Sequence, residues 1–360
     1  MTRLSRRDFA KAAAGTIAAG IALRSGVLLA QGAGDARLAA LEFVDPELRP
    51  AARQVLATSG QMGSFTDETL RTIRAATPPS PPPLPGIPAR EVRVSAQGSL
   101  PEVVVQVVNS QPGEARPAIL HTHGGGYILG SARSELLFLQ ETAAALECTI
   151  VSVEYRLAPE AQFTASVDDN YAGLLWLYRN AAALGVDPAR IALMGESAGG
   201  GHAALLAIVA RDRGEVPLAL QALIYPMLDD RTGSTRTVPA HIGAIGWDPP
   251  ANRYGWRAFL GAEPGGSDVP AAGVPARIEG LQGLAPAFIA VGGVDLFVSE
   301  DIEYARRLTE AGVPAELLVT PGAFHGFDRV APETRLARRF TASKHEALRR
   351  AFGMEPITAP

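Results

Sequence analysis

The sequence predicts an α/β architecture, a mostly parallel central sheet with helices on both faces. Three observations carry that expectation. From residue 91 onward short β-rich runs recur, around Val92 and Val94 and then at 103–108, 118–120, 149–153 and 191–194. The later runs alternate with helical stretches of about ten or more residues, the rhythm of strand–helix–strand units. Finally, 360 residues with 47% hydrophobic and 19% charged side chains describe an ordinary packed globule, and chains of this class fill such lengths as one domain carrying an insertion.

Taken in chain order, residues 1–33 differ in kind from the rest. Ser5-Arg6-Arg7-Asp8-Phe9-Ala10-Lys11 precedes a small-residue apolar stretch at 12–23, and Val27-Leu28-Leu29-Ala30 follows. A paired arginine ahead of such a stretch reads as a twin-arginine export signal. The export machinery is then a partner, and the mature chain is expected in the periplasm or outside the cell. Arg24 interrupts a run that is only modestly apolar, which argues against a stable membrane span of about 20 residues. Cleavage is expected near residues 30–33, with an uncleaved anchor left open.

Residues 34–89 read as amino-terminal helices followed by a stiff linker. Apolar positions fall at helical spacing (Leu38, Leu41 and Phe43, then Ala51, Val55 and Leu56, then Leu70 and Ile73), until seven prolines between Pro78 and Pro88 break the pattern. The α/β alternation occupies 90–227 and resumes over 284–360. Between them, residues 228–283 are rich in Gly and Pro and include Trp247 and Trp256. Structureless loops of that length are uncommon in compact domains, so a lid or cap is expected there.

Composition narrows the function. A net charge of −4, from 33 basic and 37 acidic side chains, gives no reason to expect nucleic acid as a partner. Cys148 is the one cysteine, so neither an intramolecular disulfide nor a cysteine-based zinc cluster can form. It lies in an apolar run and reads as a buried, inert thiol. A small-molecule site is favoured, with no cofactor or metal implied, and the sequence admits a homodimer.

The chemistry is carried by four loops at the carboxyl ends of strands, where open sheets of this kind bind ligands. The run 191–194 leads straight into Gly195-Glu196-Ser197-Ala198-Gly199-Gly200, and helix formers follow at 203–210. This is G-x-S-x-G in the context it needs: the glycines allow a strained strand-to-helix turn that lifts the Ser197 hydroxyl above the sheet. A serine needs a base to take its proton and donors for the charge that develops on the attacked carbonyl. His123-Gly124-Gly125-Gly126-Tyr127, after the strand at 118–120, supplies a flexible backbone able to aim N–H groups at one point. The N–H of Ala198 would complete that oxyanion hole. A phosphate loop would instead end in a lysine and a hydroxyl, which Tyr127-Ile128 does not supply.

Of the six histidines, His325 in Gly322-Ala323-Phe324-His325-Gly326-Phe327 follows a late strand at 315–319, the place where the order Ser, acid, His expects the base. The acid then belongs between them. Asp295 ends the run 286–291 followed by Gly292-Gly293-Val294, whereas Glu300 and Asp301 fall in the first turn of a helix expected over 301–311, where acids serve the helix dipole. His202, five residues past Ser197, is expected to be a packed or exposed helix histidine.

With these motifs in hand, the chain resembles the hormone-sensitive-lipase family of α/β-hydrolases, in its bacterial esterase branch, over roughly residues 45–352. The matches are His123 to Tyr127, Glu154-Tyr155-Arg156-Leu157-Ala158-Pro159-Glu160, Gly195 to Gly200, Val294-Asp295-Leu296-Phe297 and His325-Gly326-Phe327. The resemblance implies the α/β-hydrolase fold, Ser197, Asp295 and His325 as a triad, and Gly125, Gly126 and Ala198 as oxyanion donors. It also implies a two-part cap, from the amino-terminal helices and from the segment after Tyr225-Pro226. Departures are Glu196 where aspartate is commoner, Gly201-His202 where many relatives have asparagine and an apolar residue, and Thr164 where proline is usual.

The expected function is hydrolysis of short- to medium-chain carboxylic esters through an acyl-enzyme. An amidase or an acyltransferase would use the same triad. A non-catalytic ligand-binding relative, as in the plant gibberellin receptors, would have lost the histidine that this chain keeps.

Overall fold

Alternation at period two builds the sheet, because successive side chains of a strand face opposite sides. In the computed structural model, which describes residues 37–59, 65–76 and 82–355, Leu120, Val151, Val153, Leu193 and Leu223 point into one apolar layer. Their neighbours Ile119, Ile150, Ala192, Met194 and Ile224 point into the other. Both faces therefore need helices.

Eight strands supply the sheet: β1 (Ala89–Val94), β2 (Val103–Val108), β3 (Arg116–Thr122), β4 (Thr149–Glu154), β5 (Val186–Glu196), β6 (Leu220–Ile224), β7 (Ala287–Gly292) and β8 (Ala315–Thr320). Their spatial order is β1-β2-β4-β3-β5-β6-β7-β8. β2 runs antiparallel to β1 and β4, and every later pairing is parallel. This is the mostly parallel sheet expected from the sequence. Strand β6 was not among the expected runs: Leu-Gln-Ala-Leu-Ile has little β propensity of its own, and its place between β5 and β7 makes it a strand. Its Gln221 is buried and donates from Nε2 to Ala285 O (2.8 Å).

The helices are α1 (Arg49–Ser59), α2 (Asp67–Ala75), α3 (Leu136–Leu146), α4 (Phe163–Arg179), the short α5 (Ala181–Leu184), α6 (Ala198–Arg213), α7 (Pro249–Leu260), α8 (Val298–Glu310), the short α9 (Phe327–Val330) and α10 (Arg335–Ala351). Buried residues of α4, α6 and α8 cover the first face of the sheet. Those of α3 and α10 cover the second, with Cys148 buried among them and its thiol pushed up to about 12 by burial.

A third apolar cluster lies over the carboxyl ends of the strands. It joins Phe65 and Leu70, at the amino-terminal side, to Trp247, Tyr254, Trp256 and Phe259 of the 228–283 segment, and both to Tyr127, Ala198, Leu296 and Phe297. The Tyr254 hydroxyl donates to Asp67 across this contact (2.8 Å). Helix α7 starts where Asp248 caps the Ala251 N–H (3.0 Å) ahead of two prolines, and stops at left-handed Gly261.

One expectation needs correction here. Leu38 and Phe43 do not share a buried helical face: residues 40–43 form a 3-10 turn that buries Ala40 and Leu41, while Leu38 and Phe43 are 52% and 53% exposed. Phe43 stacks instead on His241 (ring centroids 4.0 Å apart). The second half of the proline-rich stretch is also docked, since Gln140 accepts the Leu84 N–H (2.7 Å) and donates to Ile87 O (2.5 Å). The export signal expected over 1–33 lies outside the described residues. Among the described residues no helix is long and apolar enough to cross a membrane.

Candidate active site

Strand β5 runs into α6 through a single residue, and that residue is Ser197. Its backbone lies at φ 58° and ψ −122°, a region that costs a non-glycine residue free energy. Tertiary contacts impose it. The Ser197 N–H donates to Ile224 O (2.9 Å), and its carbonyl accepts from Gly201 (3.1 Å) and Met227 (3.0 Å). The flanking glycines are demanded by packing. A Cβ on Gly195 would stand 2.2 Å from Gly199 O, and one on Gly199 would stand 2.0 Å from Thr122 O.

Three expected residues meet at this turn. His325 Nε2 lies 3.0 Å from Ser197 Oγ, and His325 Nδ1 lies 2.8 Å from Asp295 Oδ2. Asp295 is fully buried, and its other oxygen accepts the Phe297 N–H (3.0 Å), which leaves Oδ2 facing the imidazole. The ring is held from the sides by Tyr225 (4.9 Å) and Phe297 (5.3 Å).

The glycine loop approaches Ser197 from the end of β3. A Cβ on Gly124 would stand 3.0 Å from Glu196 O and 3.5 Å from Ser197 Cβ, a tight fit against the nucleophile turn. Gly125 O accepts from Ile128 and Leu129, and the Tyr127 hydroxyl ties the loop to Met227 O (2.9 Å). Among the described residues no protein acceptor takes the N–H groups of Gly125, Gly126 or Ala198. His123 Nδ1 bonds Gly124 O (2.8 Å), and burial holds its imidazole down at about 4, so it stays neutral and serves as a donor to the loop. His202 is a packed histidine, boxed by Tyr127, Tyr155 and Phe259 and lowered to about 3 by burial and then by His123.

Several residues of the site were not legible as such. Glu196 is buried and pairs with His121 Nε2 (2.8 Å), whose Nδ1 meets Ser152 Oγ (2.8 Å). Burial works to raise the Glu196 carboxyl, but His121, Lys344 and Arg329 together hold it below its usual range. Glu300 and Asp301 lie in the first turn of their helix as expected, but α8 begins at Val298 rather than at residue 301, and both side chains are buried. Glu300 accepts the N–H groups of Leu228 (2.7 Å) and Asp229 (3.1 Å), and so pins the start of the 228–283 segment to α8. Among the described residues Asp301 has no hydrogen-bond partner, and burial, then Glu300 and Asp295, push its carboxyl well above the usual range. Arg156 and Glu160 have structural partners: Arg156 grips Asp169 (2.8 Å), and Glu160 meets Arg74 (2.7 Å). Among the described residues no group of three or more histidine, cysteine or carboxylate side chains could hold a metal ion.

The family profile of the α/β-hydrolase fold matches residues 119–329. Carboxylesterase NlhH of Mycobacterium tuberculosis is 36% identical over 242 residues, 66% of this chain and 74% of that protein. An ethyl acetate hydrolase of Pseudomonas putida is 33% identical over 64% of this chain and 72% of its own length. The structure of a bacterial heroin esterase superposes with a TM-score of 0.73 at 34% identity, covering 87% of this chain and 99% of that one. The chain belongs to the α/β-hydrolase family, in its hormone-sensitive-lipase-like branch of carboxylic ester hydrolases.

Proposed function

We propose that the chain is an exported serine carboxylesterase that cleaves short- to medium-chain esters through an acyl-enzyme on Ser197. The observation that carries this reading is the chain of contacts Asp295–His325–Ser197, at 2.8 and 3.0 Å, on a strained turn beside three free N–H groups. His325 Nε2 accepts the hydroxyl proton as Ser197 Oγ attacks the ester carbonyl. Asp295 keeps the other ring proton on Nδ1 and stabilises the imidazolium that forms. The N–H groups of Gly125, Gly126 and Ala198 receive the developing oxyanion without reorganising. His325 returns the proton to the departing alcohol oxygen, then activates water, and hydrolysis of the acyl-enzyme releases the acid and restores Ser197.

An ester of a small acid and alcohol fits a serine that is only 7% exposed, and the similarity to an ethyl acetate hydrolase points the same way. The Ser5-Arg6-Arg7 string supports export in the folded state, which suits a chain with one cysteine. The test is labelling with a fluorophosphonate followed by peptide mass analysis. One label on Ser197 in the wild type and none in Ser197→Ala is the expected result. A label on another residue, or ester turnover unaffected in Ser197→Ala, rejects the assignment.

A further inference from the structure

The stretch from Gly243 to Trp247 touches the loops of Asp295 and His325 and the glycine loop. The Gly243 N–H donates to Val294 O (3.0 Å), beside Asp295. A Cβ on Gly246 would stand 3.1 Å from His325 Cβ. At Trp247 the indole lies against the glycine loop: a Cβ on Gly126 would stand 2.3 Å from ring carbon Cη2 and 2.4 Å from Cζ2. The ring is held in place. Its Nε1–H donates to Asn252 Oδ1 (3.2 Å), Asn252 Nδ2 donates in turn to Thr232 O (2.8 Å), and Phe65 packs against it at 5.9 Å.

We propose that Trp247 is the specificity-determining wall of the ester site, stopping the acyl chain beside the oxyanion donors and confining efficient turnover to short acyl groups. The proposal rests on the reading of Ser197 as nucleophile. The three substituents of the attacked carbon have assigned directions. The carbonyl oxygen faces the free N–H groups, and the leaving oxygen must face His325 Nε2, which protonates it. The acyl chain takes the remaining direction, away from His325 and along the glycine loop, where the indole stands. A long flexible side chain could swing aside there. An indole tied at Asn252 and packed against both Phe65 and Gly126 cannot do so without breaking those contacts.

The experiment measures kcat/KM of the full-length chain for p-nitrophenyl acetate, butyrate and octanoate, per fluorophosphonate-titrated site. It compares the wild type with Trp247→Ala and Trp247→Leu. The wild type should favour the short esters. The octanoate-to-acetate ratio should rise at least about tenfold in Trp247→Ala and by less in Trp247→Leu, since a single methylene in an apolar pocket changes kcat/KM by about tenfold or more. Should the alanine variant fail to fold, judged by its melting curve, the leucine variant carries the same comparison. An unchanged ratio with Ser197 still labelled, or a wild type that prefers octanoate, overturns the wall and leaves the nucleophile in place. No label on Ser197 in the wild type overturns both.

Discussion

Replacing Asp295 by asparagine exchanges one oxygen for an NH₂ group, and the structure says what that oxygen must do. Asp295 Oδ1 accepts the Phe297 N–H at 3.0 Å while Oδ2 faces His325 Nδ1 at 2.8 Å. If the new amide keeps its oxygen on Phe297, its NH₂ group points at Nδ1. The imidazole proton is then forced onto Nε2, where it faces Ser197 Oγ and no lone pair remains to accept the hydroxyl proton. If the amide flips, the tautomer is restored, but the buried Phe297 N–H loses its acceptor at a cost of about 1–3 kcal/mol, and the imidazolium still lacks its counter-charge. The expected loss in kcat is about 10⁴, equivalent to about 5 kcal/mol of transition-state stabilisation, with KM changed little. The control is Asp301→Asn, a little further along the same chain segment. Among the described residues Asp301 has no hydrogen-bond partner, and burial favours its neutral form, so an amide of the same shape removes no hydrogen bond. Its loss in kcat should stay below about tenfold. The assay is kcat on p-nitrophenyl butyrate, with melting temperature measured on each variant. Comparable losses in the two variants, or Asp295→Asn within about tenfold of wild type, would refute the role given to Asp295.

Three further outcomes follow from other parts of the molecule. His202 has a folded pKa of about 3 against 6.5 ordinarily, so the unfolded chain binds a proton that the folded one refuses. Stability is intact above about pH 6.5 and is lost as pH falls towards the folded value, by about 2 kcal/mol at about pH 5. Differential scanning calorimetry of His202→Leu should therefore show a smaller drop in melting temperature between about pH 7 and pH 5 than the wild type, and an equal drop would refute the buried, neutral imidazole. Gly199→Ala places a methyl group 2.0 Å from Thr122 O; it should cost about 1–3 kcal/mol by chemical denaturation and nearly all turnover, whereas wild-type stability would mean the turn can relax. For export, a reporter fused to residues 1–40 should reach the periplasm, and the double change Arg6→Lys, Arg7→Lys should strand it in the cytoplasm; equal delivery of both speaks against a twin-arginine address.

The parts of the site legible in the sequence are those whose requirement is local. Gly195 to Gly199 carry their reason with them, because a serine at the end of a strand, followed at once by a helix, needs small neighbours. His325 and Asp295 could be found by chain order and by their places after β8 and β7. The pairing of Glu196 with His121 could not, since nothing local marks a charged residue as buried when its partner is 75 positions away. Glu300 and Asp301 looked like ordinary helix-start acids for the same reason. Their burial follows from the return of the chain at Leu228, a long-range event. Strand β6 escaped because neighbouring strands, rather than its own residues, make it extended. The indole of Trp247 against Gly126 likewise depends on where an irregular segment comes to rest.

Glu196 raises a question of electrostatics, since a buried anion next to the nucleophile would oppose an oxyanion forming nearby in a medium of low polarity. The structure answers it from the other side of the sheet. Glu196 is bonded to His121, and the charges of Lys344 and Arg329 act on it with the same sign, enough to keep its carboxyl below the ordinary range despite burial. Lys344 is itself fully buried, and among the described residues its Nζ has no hydrogen-bond acceptor. It lies over the Phe138 ring at 4.7 Å, and burial pulls its pKa down while Glu196 and Asp328 pull it back up. A lone buried lysine would be costly. Here Glu196 and Asp328 favour its protonated form against burial, and Asp328 in turn accepts from the Tyr225 hydroxyl (3.1 Å), whose ring packs against His325. Charged groups of α9 and α10 are thus coupled to the carboxylate beside Ser197 and, through Tyr225, to the ring of its base.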